Sequence, residues 1–223
     1  MDCNFTVRSS GMAEGLRERK KRRTRQHISE VAVGLFVEHG FDNVTIAEVA
    51  AAAEVSVNTV YNYFQAKEDL VLPPEEASPR RLADIVAGRA PGESAAGAVL
   101  ARLRQEVRER ERRVGLTPGF GRVLEMMRAA PTLTARLEDL GQRMTGELAG
   151  LLAEECGEGP DDPLPRVVAW HIGSLHALAL SEIGRRTAAG ERPDAIAEAV
   201  LELLDAAESV LGEKVLAYAV RRE

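Results

Sequence analysis

Apolar residues recur along this chain with the three- and four-residue spacing of an amphipathic helix, and no stretch alternates between apolar and polar residues as a strand would. The first helix is predicted over residues 24–39, and Gly40 supplies its left-handed stop. Its apolar face consists of Ile28, Val31, Ala32, Leu35 and Phe36. Phe41 and Val44 are expected to anchor the turn that follows.

Two short helices are predicted next, each with its own N-cap. Thr45 and Glu48 have the spacing of a capping box, in which each side chain binds the backbone N–H of the other residue. Ser56 is placed to cap the second helix, which ends near Tyr63. Two short helices joined by a tight turn behind a longer helix form a helix-turn-helix, whose second helix enters the major groove of DNA.

The rest of the chain carries only helical signals. A helix that opens at residues 67–72 is expected to stop at Pro73 and Pro74. Proline and glycine then separate six further helices, predicted over residues 80–88, 95–113, 118–129, 133–156, 164–188 and 194–219. The predicted fold is therefore all-α, with about nine helices.

The outer face of the second short helix carries small and hydrogen-bonding residues, as a DNA-reading helix requires. These residues are Ser56, Val57, Asn58, Thr59, Tyr61, Asn62 and Tyr63. Asn58 or Asn62 could pair with adenine, and Val57 could contact a thymine methyl group. Alternatively, each asparagine could face solvent, and Tyr61 could pack partly against the core.

The distribution of charge changes the meaning of the net charge, which is −6 and by itself argues against nucleic acid. Residues 17–25 carry seven Arg or Lys against one acidic residue, whereas the chain after Leu72 carries 20 basic and 25 acidic residues. A basic end on an acidic body suits a protein that presents one end to a polyanion. The alternative is that residues 17–25 are a solvated tail.

Residues 45–70 read TIAEVAAAAEVSVNTVYNYFQAKEDL, and this stretch resembles the DNA-binding signature of the tetracycline-repressor (TetR) family of transcriptional regulators. The resemblance covers residues 24–70 and includes the upstream Ala32, Leu35–Phe36 and Gly40–Phe41. It implies phosphate contacts from Thr45, Ser56, Tyr63 and Lys67. It implies contacts to base edges or nearby backbone from Val57, Asn58, Thr59, Tyr61 and Asn62. It also places the basic segment where a minor groove or backbone could be reached by Arg22, Arg23 and Arg25.

Three regions are expected: a disordered extension over residues 1–16, a three-helix DNA-binding domain with a basic arm over 17–70, and a helical effector-binding and dimerisation domain over 71–223. The resemblance implies both the effector and the homodimer. The sequence itself supports the dimer, since residues 196–211 carry an apolar stripe and residues 167–180 are apolar nearly all round. Close helix approach there is permitted by Gly173 and Ala177. These helices could form a four-helix interface, or they could complete a monomer core.

An effector pocket needs apolar walls and a few polar groups. The candidates are soft, aromatic and polar residues of the third region, namely Phe120, Met126, Met127, Trp170, His171 and Ser174. Each of them could instead belong to an ordinary core. Residues 122–136 also resemble the C-terminal domain of regulators that bind acyl-CoA-like ligands, and there Arg122 or Arg128 could meet a phosphate or stay a surface charge. The expected effector is a small hydrophobic or acyl-CoA-like molecule.

Other kinds of site lack support in the sequence. Cys3 and Cys156 lie far apart, and His171 and His176 do not share a helical face, so no disulfide, metal site or cofactor is expected. This cysteine usage favours a reducing cytoplasm. Residues 167–180 are too short and too polar to span a bilayer.

The main prediction is a ligand-responsive DNA-binding regulator, a repressor that its effector releases from operator DNA. Two alternatives stay open. The first is a helical enzyme with an accessory DNA-binding domain, although no catalytic triad order and no glycine-rich phosphate loop stands out. The second is an architectural DNA-binding protein that has no effector and little sequence preference.

Overall fold

The described part of the chain is helical and contains no strand. The computed structural model describes residues 15–72, 77–117, 119–157, 159 and 162–222. Its α-helices are α1 (Leu16–His39), α2 (Ile46–Ala52), α3 (Val57–Tyr63), α4 (Arg81–Ala87), α5 (Ala95–Glu109), α6 (Phe120–Ala129), α7 (Pro131–Cys156), α8 (Leu164–Ala188), α9 (Pro193–Val210) and α10 (Glu213–Leu216). Nine of these helices have seven or more residues, so the all-α prediction and the predicted number of helices are confirmed within the described residues.

The basic segment is part of α1, which begins at Leu16 and not at Thr24 as predicted. Residues 17–25 are therefore the first turns of a continuous helix, which excludes the solvated tail, while the expected DNA contact of this basic segment stays a prediction. Arginine and lysine are good helix formers, and Lys21 lies 4.0 Å from Glu18 one turn away. The helix ends where predicted, because Gly40 takes a φ of 85° and donates its N–H to the Phe36 carbonyl at 2.9 Å. Residues 1–14 of the expected disordered extension lie outside the described residues.

Two core clusters organise the molecule. The first joins α1, α2 and α3, and at its centre the rings of Phe36 and Phe41 meet edge to face with centroids 4.9 Å apart. The corner between α6 and α7 also packs into this cluster, through Met126, Met127, Ala130 and Leu133. The second cluster joins α4, α5, α7, α8 and α9 into a body with its own apolar interior.

Helices α7 and α8 cross closely within one subunit. A Cβ atom on Gly173 of α8 would lie 2.6 Å from Oγ1 of Thr145 in α7. The sequence placed Gly173 at a dimer contact, but its missing side chain is needed for packing inside the protomer. Ala177, four residues later, is exposed.

Three predicted helices are shorter than expected. The helix predicted over 95–113 ends at Glu109, because Arg110 turns left-handed with a φ of 52°. The helix predicted over 194–219 ends at Val210 and is followed by the short α10. Only a 3-10 turn forms at Lys67–Leu70. Pro73, Pro74 and Pro118, the expected breaks, lie outside the described residues.

The segment after α10 returns to the loop between α4 and α5. Arg221 donates its N–H to the Glu93 carbonyl at 3.0 Å, and its own carbonyl accepts from the N–H of Gly92 at 2.9 Å. The buried side chain of Arg89 donates to the Ala219 carbonyl at 2.8 Å and to Glu155 of α7 at 2.6 Å. This corner therefore joins parts of the body that are distant in sequence.

None of the helices in the described part of the chain combines the length and the apolar character needed to cross a bilayer.

Candidate nucleic-acid interface

A complete capping box starts α2. Thr45 Oγ1 accepts the backbone N–H of Glu48 at 3.2 Å, and the Glu48 carboxylate accepts the backbone N–H of Thr45 at 2.7 Å. The backbone and then the side-chain hydrogen bond from Thr45 hold the pKa of Glu48 below its usual value. The predicted capping box is thus confirmed, and it satisfies two N–H groups that a helix start otherwise leaves without partners.

The second short helix, α3, is capped at its start and anchored on one side. Ser56 Oγ accepts the N–H of Thr59 at 3.0 Å, which confirms the predicted cap, and it lies 2.8 Å from Oγ1 of Thr59. Val60 and Phe64 are buried in the first core cluster. Because these two residues fix one side of α3, its opposite side is presented outward in a defined orientation.

The exposed side of α3 contains most of the residues that the sequence assigned to base contacts. Exposed there are Ser56, Val57, Asn58, Tyr61 and Asn62, together with Thr45 at the start of α2. Tyr61 is 58% exposed, so the alternative that it packs against the core does not apply to the free protein. Thr59 and Tyr63 are half-buried at the edges of the same surface.

Arg25 of α1 holds the far end of α3. Its Nη2 donates to the Tyr63 carbonyl at 2.8 Å, and its guanidinium lies over the ring of Phe64, 5.2 Å from the centroid. The last carbonyls of a helix lack intrahelical partners, so this contact satisfies one of them. The sequence assigned Arg25 to DNA, but the partners of a side chain 38 positions away cannot be inferred from local spacing.

Lys67 also binds inside the protein. Its ammonium donates to the Phe41 carbonyl at 2.5 Å and lies 4.4 Å from the centroid of the Phe41 ring. The side chain thus ties the turn after α3 to the turn before α2. In this geometry Lys67 positions the two turns, whereas the resemblance implied a phosphate contact.

Exposed basic side chains continue along α1 from Arg25 towards the N-terminus of the helix. Arg22 and Arg23 are exposed, as are the Arg and Lys residues between Arg17 and Lys21. Since Arg25 contacts the end of α3, these cations continue along α1 from a point that adjoins the helix-turn-helix.

The six pocket candidates do not come together. Met126 and Met127 are buried in the first core cluster, against the DNA-binding helices. Trp170 is 62% exposed on α8, and its ring meets His171 edge to face at 5.2 Å. Ser174 donates to the Trp170 carbonyl at 2.8 Å. Phe120 packs at the start of α6 beside Gly115.

The six candidates therefore do not line one cavity in this structure, since chemical softness does not tell which of two cores a side chain joins. An open groove of about 700 Å³ borders Trp170 and runs between α7 and α8. Among the described residues, no three side chains of the His, Cys, Asp or Glu types are placed to hold a metal ion.

Comparison with known proteins agrees with this arrangement. A family model described as bacterial regulatory proteins, tetR family, matches residues 28–72. The transcriptional regulator TcmR of Streptomyces glaucescens is 31% identical over 176 residues, which cover 73% of this chain and 74% of TcmR. Because TcmR is a transcriptional regulator, the match supports the expectation that this chain is not an enzyme.

Solved structures share the fold. NalD of Pseudomonas aeruginosa, described as the secondary repressor of a multidrug efflux pump, superposes with a TM-score of 0.52 at 23% identity, over 84% of this chain and 97% of NalD. SmeT in complex with triclosan superposes with a TM-score of 0.53 at 16% identity, over 86% of this chain and 94% of SmeT.

Proposed function

Because this chain belongs to the TetR family of bacterial regulatory proteins, we propose that it is a homodimeric repressor whose α3 helix reads operator DNA and which a small-molecule effector releases. One observation carries the DNA-binding part of this proposal. Helix α3 is capped by Ser56 and anchored by Val60 and Phe64, and it presents Asn58 and Asn62 outward. A short, rigid helix with exposed hydrogen-bonding side chains suits the major groove.

The contacts divide by chemistry. Hydroxyl groups of Thr45, Ser56 and Tyr63 bind phosphates, which positions the protein without reading sequence. The residues that reach base edges or nearby backbone are Val57, Asn58, Thr59, Tyr61 and Asn62. Lys67 acts through the Phe41 carbonyl and keeps the two turns in place.

The basic start of α1 contacts the phosphate backbone and does not enter a groove. A helix with side chains is about 10–12 Å wide, whereas the minor groove is about 6 Å wide. Exposed cations such as Arg22 and Arg23 can therefore neutralise phosphates beside the site, and each one that does so steepens the salt dependence of binding.

The dimer forms through α8 and α9. In the protomer, α8 exposes a row of large apolar residues, namely Leu164, Val167, Trp170 and Leu178. Val210 at the end of α9 is 81% exposed. Exposed apolar rows of this kind mark interaction surfaces, and a two-fold dimer would place two α3 helices about 34–36 Å apart, in successive major grooves.

Release by an effector requires a ligand that prefers the arrangement of the two α3 helices that does not fit DNA. Such a ligand shifts the population by its differential affinity for the two states. The packing of the α6–α7 corner into the first core cluster supports this coupling, because a movement of α6 or α7 displaces the support of α1.

The test is fluorescence anisotropy of the full chain with DNA from upstream of its own gene, against a scrambled duplex at several salt concentrations. Specific binding is expected, and Asn58→Ala is expected to weaken operator binding about tenfold or more with little change on scrambled DNA. Asn43→Ala is the matched control, because Asn43 is an exposed asparagine outside α3 that donates to the His39 carbonyl. Equal affinity for both duplexes at low salt would refute the proposal.

A further inference from the structure

The interior of the C-terminal body holds a polar cluster that the DNA-reading surface does not use. Arg81 lies in the first turn of α4, Glu106 lies in α5 and His176 lies in α8. The side chain of Glu106 is fully buried, and that of Arg81 is 12% exposed. Around them is the apolar second core cluster, which includes Leu82 and Leu103. Charged groups are costly in such surroundings unless they are paired.

The carboxylate of Glu106 is fully paired. Its Oε2 accepts from Arg81 Nη2 at 2.5 Å, and its Oε1 accepts from Arg102 Nε at 2.8 Å. Arg102 reaches on to Glu111 at 3.1 Å, and Glu111 also pairs with Arg113 at 3.2 Å. Among the described side chains, three guanidinium groups therefore share two carboxylates, an excess of one positive charge.

Arg81 keeps unused donors at this place. A guanidinium has five N–H donors, yet within the described residues the only hydrogen bond of the Arg81 side chain goes to Glu106. Burial lowers the pKa of Arg81, and the charge of Glu106 opposes that change. The guanidinium is thus a largely buried cation with N–H donors that no described residue accepts.

His176 follows Leu175 of the second core cluster and has no hydrogen-bond partner among the described residues. Burial, and then the charge of Arg81, lower its pKa to about 4. The imidazole is therefore neutral near pH 7 and offers one donor and one acceptor. His176 is only partly buried, so the cluster lies at the edge of the core and is not sealed within it.

We propose that Arg81 and His176 form the polar end of the effector site, and that the effector is an organic acid with an apolar body. The acid group pairs with Arg81 and removes the excess positive charge, while His176 donates to the acid or accepts from a neighbouring hydroxyl. Carboxylate and guanidinium groups match in geometry and form strong charge-assisted hydrogen bonds. The apolar walls of the second cluster suit the body of the ligand.

This site deepens the proposed function, on which its regulatory meaning rests, and it uses none of the six pocket residues that the sequence suggested. It also has a structural consequence for signalling. Arg81 follows directly on Arg80 at the start of α4, where the chain arrives from the DNA-binding helices. A ligand that binds the remaining donors of Arg81 therefore acts on α4 at the end that follows the DNA-binding helices in the chain.

The test compares 1-naphthoate with 1-naphthamide, two probes of similar shape that differ in charge, by calorimetric titration of the full chain without DNA. Naphthoate is expected to bind about tenfold more tightly than naphthamide, because one hydrogen bond to a charged group contributes about this much to affinity. Arg81→Gln is expected to remove this preference. Arg80→Gln is the matched control, because Arg80 is exposed and pairs with Glu147 at the surface. It is expected to retain the preference.

Two further variants distinguish a lost ligand contact from misfolding caused by an unpaired buried charge. Arg81→Gln with Glu106→Gln removes both charges together and is also expected to lose the acid preference. His176→Leu leaves the ion pair in place and is expected to weaken naphthoate about tenfold. The proposal is overturned if wild type binds neither probe, binds both equally, or keeps its preference for naphthoate in the two Arg81→Gln variants.

The same samples separate this proposal from the proposed function. Naphthoate binding without release from operator DNA would support the acid site and refute release through it. Failure to bind DNA at all, with naphthoate still preferred, would refute the repressor and leave the acid site standing.

Discussion

Arg136 of α7 donates to Oδ1 of Asp69 at 3.0 Å, while Oδ2 of the same carboxylate accepts the backbone N–H groups of Gln65 and Ala66 at 3.2 and 3.1 Å. One buried carboxylate thus joins the long helix of the C-terminal body to the turn that directly follows α3. Asp69 is 3% exposed, so this junction is shielded from solvent.

Breaking this junction is expected to destabilise the protein. Asp69→Asn should lower the free energy of unfolding by about 1–3 kcal/mol, because it removes the charge and one acceptor from a buried site. Arg136→Gln should have a smaller effect, since the Arg136 side chain is 43% exposed. Urea denaturation measures both. The control is Arg143→Gln, which breaks an exposed pair with Asp139 on the same helix and should change stability by about 0.5 kcal/mol or less. An equal loss in the Arg143 variant would contradict the special role of Asp69.

The cap of α2 should contribute measurably to stability. Thr45→Ala removes the acceptor of the Glu48 N–H and should cost about 1 kcal/mol, read as a lower midpoint in thermal unfolding of the free protein. Thr45→Ser keeps the hydroxyl and should stay close to wild type. If the serine variant lost as much as the alanine variant, the methyl group and not the cap would be responsible.

Arg25 and Arg23 should differ in their effect on salt dependence. Arg25 binds the Tyr63 carbonyl, so Arg25→Gln should weaken operator binding through α3 with an unchanged slope of log affinity against log salt. Arg23 is exposed, and Arg23→Gln should reduce that slope by about 0.9 if its charge neutralises one phosphate. Anisotropy titrations at four salt concentrations give both slopes. A reduced slope for Arg25→Gln would assign that side chain to DNA.

Trp170 can report the proposed dimer, because it is the one tryptophan of the chain and is exposed in the protomer. Its emission should shift to shorter wavelength as the protein concentration rises and α8 becomes covered. Val167→Arg, on the same exposed row, should suppress the shift and lower the mass seen by sedimentation. Leu137→Arg, at an exposed apolar residue of α7, should leave both unchanged. If the protein sedimented as a dimer but the emission of Trp170 did not depend on protein concentration, the exposed face of α8 would be excluded as the dimer interface.

Acid should destabilise the body through His176. Its pKa is about 4 in the folded protein against an ordinary value of 6.5, so the unfolded chain binds the proton more readily between these values. The contribution of the neutral imidazole is complete above about pH 6.5 and is lost as the pH falls towards 4. His176→Gln should therefore flatten the fall in unfolding free energy over this interval, whereas a change at the exposed His39 should not. An unchanged slope in the His176 variant would refute this assignment.

What the sequence predicted well depends on contacts between neighbours in the chain. The caps at Thr45 and Ser56 each involve residues three positions apart, so their spacing is sufficient to find them. The start of α1 was misplaced because the run of charges suggested a tail, although the same residues favour a helix.

The contacts of Arg25, Asp69 and Arg136 join residues 38 or more positions apart and leave no mark in local spacing. The same limit applies to the pocket. Met126 and Met127 are ordinary apolar residues of an amphipathic helix, and only the fold determines that they support the DNA-binding helices. The cluster of Arg81, Glu106 and His176 cannot be recognised from local spacing either, because its members come from three different helices.

The return of residues 219–221 to the loop after α4 also has a consequence for biosynthesis. The contact between Arg89 and Ala219 spans 130 positions, and ribosomes add about 5–20 residues per second. Synthesis of the intervening residues therefore takes on the order of ten seconds. Throughout this time the guanidinium of Arg89 lacks the Ala219 carbonyl as a partner. During that interval the partners that residues 219–221 supply to the α4–α5 corner are missing, which leaves this corner open to proteases and chaperones.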